Sequence, residues 1–217
     1  MIFERFSHSG IQSYKKCQAQ FKFRYIDKIY KKDEGVEAFL GKRVHESIEY
    51  LYNQVISGVV PLVDEILKVH RSLWKEKWHD RVAIVYQNKT ARDYFYLGEE
   101  CIARFYRQNH PFKEKVIANE HEMVFLLDND ENYRIKGIVD RIDHDGDGNW
   151  EIHDYKTGKR ALSQKAADKD HQLALYQIGL MSEIDNIKSV KLVWHFIQHG
   201  IKVESTRTSE DIKKVIA

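Results

Sequence analysis

Two runs of strand-forming residues joined by a short turn constrain the fold of this chain more than any other feature. Residues 134–142 and 150–155 are rich in β-branched and aromatic side chains, which favour extended structure. The run between them, residues 145–149, reads Asp-Gly-Asp-Gly-Asn, and these residue types favour tight turns. The pattern predicts a β-hairpin whose turn is centred on Asp147.

Two carboxylates are placed symmetrically about this turn. Asp140 and Asp154 each lie seven residues from Asp147, so a turn centred there sets them opposite each other. Opposed residues of antiparallel strands share a face, with Cβ atoms roughly 4.5 to 5.5 Å apart. Lys156 lies on that same face, two residues beyond Asp154. Because repulsion between the two acids is costly without a cation between them, the spacing predicts a divalent metal site at the end of the hairpin.

The same residues resemble a known signature. Asp140 followed by Asp154-Tyr155-Lys156 is similar to the Asp…(Asp/Glu)-x-Lys motif of the PD-(D/E)XK nucleases. The sequence of the motif is most similar to that of the RecB-like exonuclease branch, which includes the nuclease domains of RecB and AddB and the CRISPR-associated RecB-like exonucleases. Further segments resemble motifs of this branch and follow one another along the chain in the same order as in the branch, namely residues 7–17, 41–45, 137–141 and 172–176. The resemblance therefore spans nearly the whole chain.

The resemblance implies an α/β fold and a single domain over residues 1–217. A short mixed sheet flanked by helices forms the catalytic core at residues 115–205, and residues 36–110 form an inserted helical lobe. Local patterns predict helices at residues 36–57, 61–80, 90–109 and 166–184, and strands at residues 115–127, 189–198 and 201–204. A last helical pattern starts at Thr208 and stops after a few residues, so we expect a C-terminal segment to be missing.

The resemblance also implies a metal-dependent DNA exonuclease, acting in DNA repair, recombination or foreign-DNA processing with Mg²⁺ or Mn²⁺. The implied metal ligands are His45, Asp140, Asp154 and the backbone carbonyl of Tyr155. Lys156 would orient the attacking water or support the pentavalent state, while Gln172 and Tyr176 would position that water or the scissile phosphate. Glu120 and Glu122 share one face of a predicted strand. Two interpretations of these glutamates stay open: one carboxylate at the metal, or a solvated edge.

The first 32 residues carry a local positive charge. They contain eight Lys and Arg against one Glu and one Asp, with aromatic residues interleaved. Basic residues among aromatics suit a phosphate backbone with bases that stack on the rings. The alternative is a solvated helix whose aromatic side chains face the core. The candidate DNA contacts are Lys15, Lys16, Lys22 and Arg24.

Cys17 has two interpretations, a buried small hydrophobe or the first ligand of an iron–sulfur cluster. In cluster-bearing relatives, a cysteine at this place precedes a proline and is joined by three more near the C-terminus. Here Gln18 follows, and Cys101 is the single other cysteine. An iron–sulfur cluster is therefore expected only if a missing C-terminal segment supplies cysteines.

Composition narrows the class of protein. Hydrophobic residues make up 42% of the chain and charged residues 31%, which argues against disorder and against a membrane protein. No run approaches the roughly 18 apolar residues of a spanning helix, and the N-terminus lacks a signal-peptide pattern. We expect a cytoplasmic protein whose partner is DNA, single-stranded or at ends. A helicase or another DNA-processing protein is a further candidate partner.

Two alternative functions remain. Residues 143–154 fit the spacing of an EF-hand calcium loop with Asp154 as its last ligand. That loop requires a helix on each side, whereas the flanking residues here are strand-like. The other alternative is a non-catalytic DNA-binding or assembly module on the same fold, because a fold does not determine a function.

Overall fold

The computed structural model describes residues 5–30 and 33–216. The helices are α1 (His8–Lys16), α2 (Gln18–Phe21), α3 (Val36–Ile56), α4 (Val63–Lys77), α5 (Ala91–Asn109), α6 (Gln164–Ala167), α7 (Gln172–Glu183) and α8 (Ser209–Ile216). The strands are β1 (Glu34–Gly35), β2 (Val82–Ala83), β3 (Val116–Leu126), β4 (Arg134–His144), β5 (Asn149–Lys156), β6 (Ser189–Phe196) and β7 (Ile201–Thr206). A π-helical turn (Lys22–Ile26) follows α2.

Five strands form one mixed sheet in the order β3-β4-β5-β6-β7. Neighbouring strands are antiparallel except β5 and β6, which run parallel. A parallel pair needs a crossover connection, and the segment containing α6 and α7 supplies it. This arrangement confirms the predicted α/β fold with a short mixed sheet flanked by helices.

Each face of the sheet packs on a separate hydrophobic core. On one face, side chains of α3, α4 and α5 pack with Tyr155 of β5, so the three helices form the predicted lobe. On the other face, α7 packs against β3, β4, β5 and β6, with Leu173, Ile152 and Trp194 fully buried. Burying a large apolar side chain contributes roughly 1.5 to 3 kcal/mol. Both cores therefore hold β5 in place, and β5 carries the predicted catalytic residues.

The segment preceding α1 is bound to the sheet. The backbone N–H of Phe6 donates to the Arg134 carbonyl at 2.7 Å, and the N–H of Lys136 donates to the Phe6 carbonyl at 2.7 Å. These bonds occupy the edge of β4 that faces β5, beyond the point where β5 ends. Ser7 then caps α1, because its side-chain oxygen accepts the N–H of Gly10. The basic N-terminal segment is thereby held beside β4.

The predicted helix at residues 166–184 is wrong in one respect, because the structure divides it into α6 and α7. The carboxylate of Asp170 accepts the backbone N–H groups of Gln172 and Leu173 at 2.9 and 3.2 Å. This side-chain capping starts a new helix. Arg207 donates to the carbonyls of Ala167 and Asp170, which fixes the bend between the helices. As a result, Gln172 lies at the start of α7.

The central hairpin excludes the EF-hand alternative. Asp143 lies in β4 and Asp154 in β5, whereas an EF-hand loop needs a helix on each side. Asp145 instead closes the hairpin turn, since its carboxylate accepts the backbone N–H of Asp147 at 2.6 Å and of Asn149 at 3.1 Å.

In the described part of the chain, no helix combines the length and the hydropathy needed to cross a membrane.

Candidate active site

The hairpin opens where the predicted acids lie. The last paired residues of β4 and β5 are Arg141 and His153, and the same register extended by one residue sets Asp140 against Asp154. There the backbone N–H of Tyr155 donates to the Asp140 carboxylate at 2.6 Å instead of to a backbone carbonyl. The predicted register is therefore the one observed, and the strands part at the two carboxylates.

Helix α3 brings His45 to this opening. Its Nε2 lies 2.5 Å from the Tyr155 carbonyl oxygen, and its Nδ1 lies 3.7 Å from Oδ2 of Asp140. A Cβ atom at Gly41 would lie 2.8 Å from the Thr157 hydroxyl. The absence of a side chain one turn before His45 thus lets α3 approach the end of β5, which explains the Gly-x-x-x-His spacing.

Glu120 of β3 joins this group. One ligand atom each from His45, Glu120 and Asp140 lies within 4.8 Å of the others, and we call these three residues the open cluster. Glu120 has a φ of 50°, a conformation that is uncommon for residues other than glycine. Glu122 instead forms an ion pair with Lys136 at 2.7 Å. Of the two interpretations left open for these glutamates, the structure places Glu120 with the acids and Glu122 at a solvated edge.

Asp154 belongs to a second set of contacts at the same opening. Lys156 Nζ lies 2.8 and 2.9 Å from its two carboxylate oxygens, and Gln172 Nε2 donates to it at 3.1 Å. Lys156 also donates to Gln172 Oε1 at 3.0 Å, and Gln172 Nε2 lies 3.3 Å from the Tyr176 hydroxyl. Gly137 leaves room for that ring, because a Cβ atom there would lie 2.7 Å from it. The predicted catalytic residues of β5 and α7 therefore form one hydrogen-bonded chain.

The electrostatics of the opening suit the binding of a cation. Burial and, next to it, repulsion from Asp154 raise the pKa of Asp140 to about 7. Burial also raises the pKa of Glu120 to about 7, with Asp140 as the second cause. Burial lowers the pKa of His45, which keeps its imidazole neutral. Burial opposes the charge on Lys156, but its contacts with Asp154 raise its pKa overall.

The donor set suits a divalent metal ion. Carboxylate and carbonyl oxygens are the ligands preferred by Mg²⁺ and Mn²⁺, and a neutral imidazole adds a nitrogen donor. A bound cation would replace the protons that Asp140 and Glu120 retain near neutral pH, because metal binding releases protons from its ligands. A cleft of about 410 Å³, lined in part by Gly41, His45, Glu49 and Glu120, leads to the open cluster.

A second group of metal-ligand residues lies on the lobe side of the same hairpin, formed by Asp143, Glu151 and His153. We call it the closed cluster. Arg141 Nε lies 3.0 Å from Asp143 Oδ1, and His153 Nε2 lies 3.1 Å from Asp143 Oδ2. Lys191 Nζ lies 2.7 Å from Glu151 Oε1. Each carboxylate of this cluster therefore has a cationic partner within the protein.

His8 is a site neighbour that the sequence analysis did not single out. It is the first residue of α1 and is partly buried. Burial lowers its pKa, and Asp170, Lys156 and Asp154 are among the charges that affect it. The start of α1 therefore lies within electrostatic range of the end of β5, which carries the predicted catalytic residues. Because His8 stands in a polar run without periodicity, no sequence pattern distinguished it.

The candidate DNA contacts lie on the same N-terminal segment. Lys15 and Lys16 are exposed in the last turn of α1. Lys22 forms an ion pair with Asp27 at 2.7 Å, and the guanidinium of Arg24 lies 5.6 Å from the centre of the Tyr25 ring. Two further basic residues counted in the sequence are outside the described residues, Lys31 and Lys32.

Cys17 is exposed and Cys101 is buried. The interpretation of Cys17 as a buried hydrophobe is therefore wrong. The two cysteines of this chain fall short of the roughly four thiolates that hold an iron–sulfur cluster. The cluster stays a prediction that depends on cysteines from another segment.

Comparison with known proteins agrees with this geometry. The family model of the PD-(D/E)XK nuclease superfamily matches residues 5–215. The chain belongs to the PD-(D/E)XK nuclease superfamily. Most members of this superfamily are metal-dependent nucleases, which supports a nuclease function with DNA as the substrate. A search of curated proteins found no match to the chain.

Proposed function

We propose that this protein is a metal-dependent DNA exonuclease of the RecB-like branch. The observation that supports a metal-dependent reaction best is the open cluster, where His45, Glu120 and Asp140 converge at the parted strands. Lys156 lies beside it, already in contact with Asp154. The choice of an exonuclease and of a helicase partner rests on the resemblance in motif order, whereas the cytoplasmic location rests on composition.

The ion would be Mg²⁺ or Mn²⁺, held by His45, Glu120, Asp140 and Asp154 together with the Tyr155 carbonyl. When bound, it would lower the pKa of a coordinated water and neutralise charge at the phosphate. Asp154 would join the ligands by exchanging part of its contact with Lys156 and Gln172 for the ion. The carboxylates would then contact both the bound metal ion and the ammonium group of Lys156.

The chain's own side chains would perform the remaining tasks. The Lys156 ammonium would hold the attacking water or stabilise the negative charge that builds up at phosphorus. Gln172 would orient that water or a phosphate oxygen through its amide, and the Tyr176 hydroxyl would fix the Gln172 side chain. A new bond forms between the water oxygen and phosphorus, one phosphoester bond breaks, and the water loses a proton while the leaving oxygen gains one.

Digestion of labelled DNA tests this proposal directly. Linear and circular single strands and end-labelled duplexes would be incubated with Mg²⁺, Mn²⁺, Ca²⁺ or EDTA. We expect cleavage of linear DNA with Mg²⁺ or Mn²⁺, and none with EDTA. Ca²⁺ should bind without supporting turnover, since it favours more ligands at longer distance. Rapid cleavage of circular single strands would contradict exonuclease action.

A matched pair of glutamates tests the ligand set. Glu120→Gln removes a carboxylate of the open cluster, whereas Glu122→Gln changes a solvated ion pair two residues away on the same strand. We expect the first change to weaken Mn²⁺ binding and cleavage and the second to leave both nearly unchanged. DNA binding without cleavage under any ion would instead favour the alternative of a non-catalytic DNA-binding module.

A further inference from the structure

A cavity of about 370 Å³ lies between α1, the π-helical turn and β4. Its apolar wall is formed by aromatic and aliphatic side chains, among them Phe6, Ile11, Tyr14, Phe21 and Tyr25. Arg5 and Lys136 also line it and add two cationic groups. The volume falls near the lower end of the range for small-molecule sites, roughly 300 to 1,000 Å³. The cavity is therefore almost entirely apolar inside, with cationic side chains at its border.

The aromatic rings are held in fixed mutual orientations. The Phe21 and Tyr25 rings stack with centroids 5.1 Å apart, and the Tyr14 ring meets Phe21 edge-on at 5.4 Å. Tyr14 is nevertheless 50% exposed, so its ring forms an accessible part of the wall. A planar ligand entering the cavity can stack on such a ring without displacing the protein core.

The position of the cavity links it to the active site. Lys136 lies four residues before Asp140 on β4, which is about 13 Å at the rise of an extended strand. A nucleic-acid strand with a rise of about 3.4 Å per nucleotide covers that distance in roughly four nucleotides. The Phe6 hydrogen bonds to β4 hold the cavity wall at this distance from the parted strands.

We propose that this cavity holds one unpaired base of the DNA strand whose phosphate lies at the open cluster. The proposal rests on the proposed function, and it adds a binding site for a base near the scissile bond. Stacking on aromatic rings accepts any base because every base has a π-face, and cations beside the rings hold the backbone. Lys136 at the border of the cavity already pairs with Glu122, so Arg5 supplies the cation beside the rings. A nucleotide carries a phosphate that this guanidinium can contact, whereas an apolar peptide side chain or a lipid chain carries none.

Binding of single-stranded oligonucleotides with one abasic position tests the proposal. Fluorescence anisotropy in Ca²⁺ or EDTA measures affinity without cleavage, and the abasic position is moved along the strand one nucleotide at a time. We expect about tenfold weaker binding when it falls at one position, about four nucleotides from the bound end. Equal affinity at every position, with normal binding of the intact strand, would overturn the proposal.

Three variants connect that position to the cavity. Tyr14→Ala should weaken binding of the intact strand about tenfold. It should leave unchanged the affinity for the strand whose abasic position weakens binding to the wild-type protein. Tyr14→Phe keeps the ring and should behave as wild type. The matched control is Phe23→Ala, which removes a ring with 52% exposure on the same segment but outside the cavity. A Tyr14→Ala loss that is equal for intact and abasic strands would contradict base binding here.

The outcomes separate this proposal from the proposed function. If the wild-type protein binds and digests DNA but shows no abasic position effect, the cavity proposal alone fails. If the wild-type protein neither binds nor digests DNA, the proposed function fails and the cavity proposal with it. Filling the cavity by Ile11→Trp gives a second check, because it should abolish the abasic position effect without removing a ring.

Discussion

The open and closed clusters each contain one His, one Glu and one Asp, and β4 contributes the Asp to both, yet their charges are balanced differently. In the closed cluster, Arg141 and Lys191 contact the carboxylates of Asp143 and Glu151 directly. In the open cluster, no Lys or Arg within residues 5–30 and 33–216 forms an ion pair with Glu120 or Asp140. In the closed cluster Asp143 and His153 are buried, whereas the open cluster faces a cleft.

The difference shows what distinguishes a site from internal packing. Both clusters contain side chains that can bind a metal, so that property alone does not identify function. The guanidinium of Arg141 lies 4.3 Å from the Tyr52 ring centre and 3.0 Å from Asp143, so the charge of the closed cluster is already compensated. Carboxylates that lack a cationic partner in the protein and are accessible to solvent suit an incoming cation. The following changes test this distinction.

The largest effect is expected on cleavage, from Asp140→Asn. Removing this carboxylate removes metal-dependent charge stabilisation worth several kcal/mol, which corresponds to a loss of at least about 10³-fold in rate. The measurement is the single-turnover rate on linear single-stranded DNA with Mn²⁺. Asp143→Asn, three residues along β4, is the control and should keep the rate per folded molecule within about tenfold of wild type. A near wild-type rate for Asp140→Asn would remove Asp140 from the active site.

The next largest effect is expected on stability, from Asp143→Asn. Arg141 is fully buried and stays charged, so loss of its carboxylate partner should lower the free energy of unfolding by about 3 kcal/mol or more. Urea denaturation in EDTA measures this change. The double variant Arg141→Met with Asp143→Leu removes both charges and should lose less stability than Asp143→Asn. If the double variant loses more, the closed cluster is not a compensated pair.

In the open cluster, the corresponding substitution, Asp140→Asn, should raise the free energy of unfolding instead of lowering it. The pKa of Asp140 is about 7 in the folded protein and roughly 3.9 in an unfolded chain. Ionisation of Asp140 therefore lowers the stability of the metal-free protein progressively from about pH 4 to pH 7. Asp140→Asn should raise the free energy of unfolding by on the order of 2 kcal/mol at pH 8 and by little at pH 4. A gain that is the same at both pH values would show a cause other than ionisation.

The last effect expected is on the pH dependence of metal affinity. Asp140 and Glu120 both hold protons up to about pH 7, and a bound ion must displace them. Mn²⁺ affinity should therefore rise by about tenfold or more per pH unit from pH 5 to pH 7 and level off above. Glu120→Gln should reduce this slope by about one proton, as measured by calorimetric titration. A slope unchanged by Glu120→Gln would place Glu120 outside the ligand set.

Much of the site follows from the sequence because turn chemistry determines the hairpin register. Gly146 and Gly148 have φ values of 97° and 93°, which glycine adopts easily, so the turn is placed by residue types alone. Once the turn is placed, the opposition of Asp140 and Asp154 follows by counting. The lobe helices follow equally well, because each has a clear apolar periodicity.

The remaining features depend on contacts that local patterns do not carry. Strand alternation treats Glu120 and Glu122 alike, and the positive φ of Glu120 decides between them. The break between α6 and α7 depends on Arg207, which follows that break by some 40 residues. The closed cluster arises where β4 and β5 meet the lobe. These are effects of tertiary packing, which overrides local preference.

The contact between His45 and Tyr155 has a consequence for protein synthesis. These residues are 110 positions apart in the chain. A ribosome that adds roughly 5 to 20 residues per second needs on the order of 5 to 20 s to pass from the first to the second. During that interval, α3 can already form while its contact residues on β4 and β5 have yet to be made. A nascent chain therefore cannot assemble the open cluster until the hairpin has emerged and docked on the lobe.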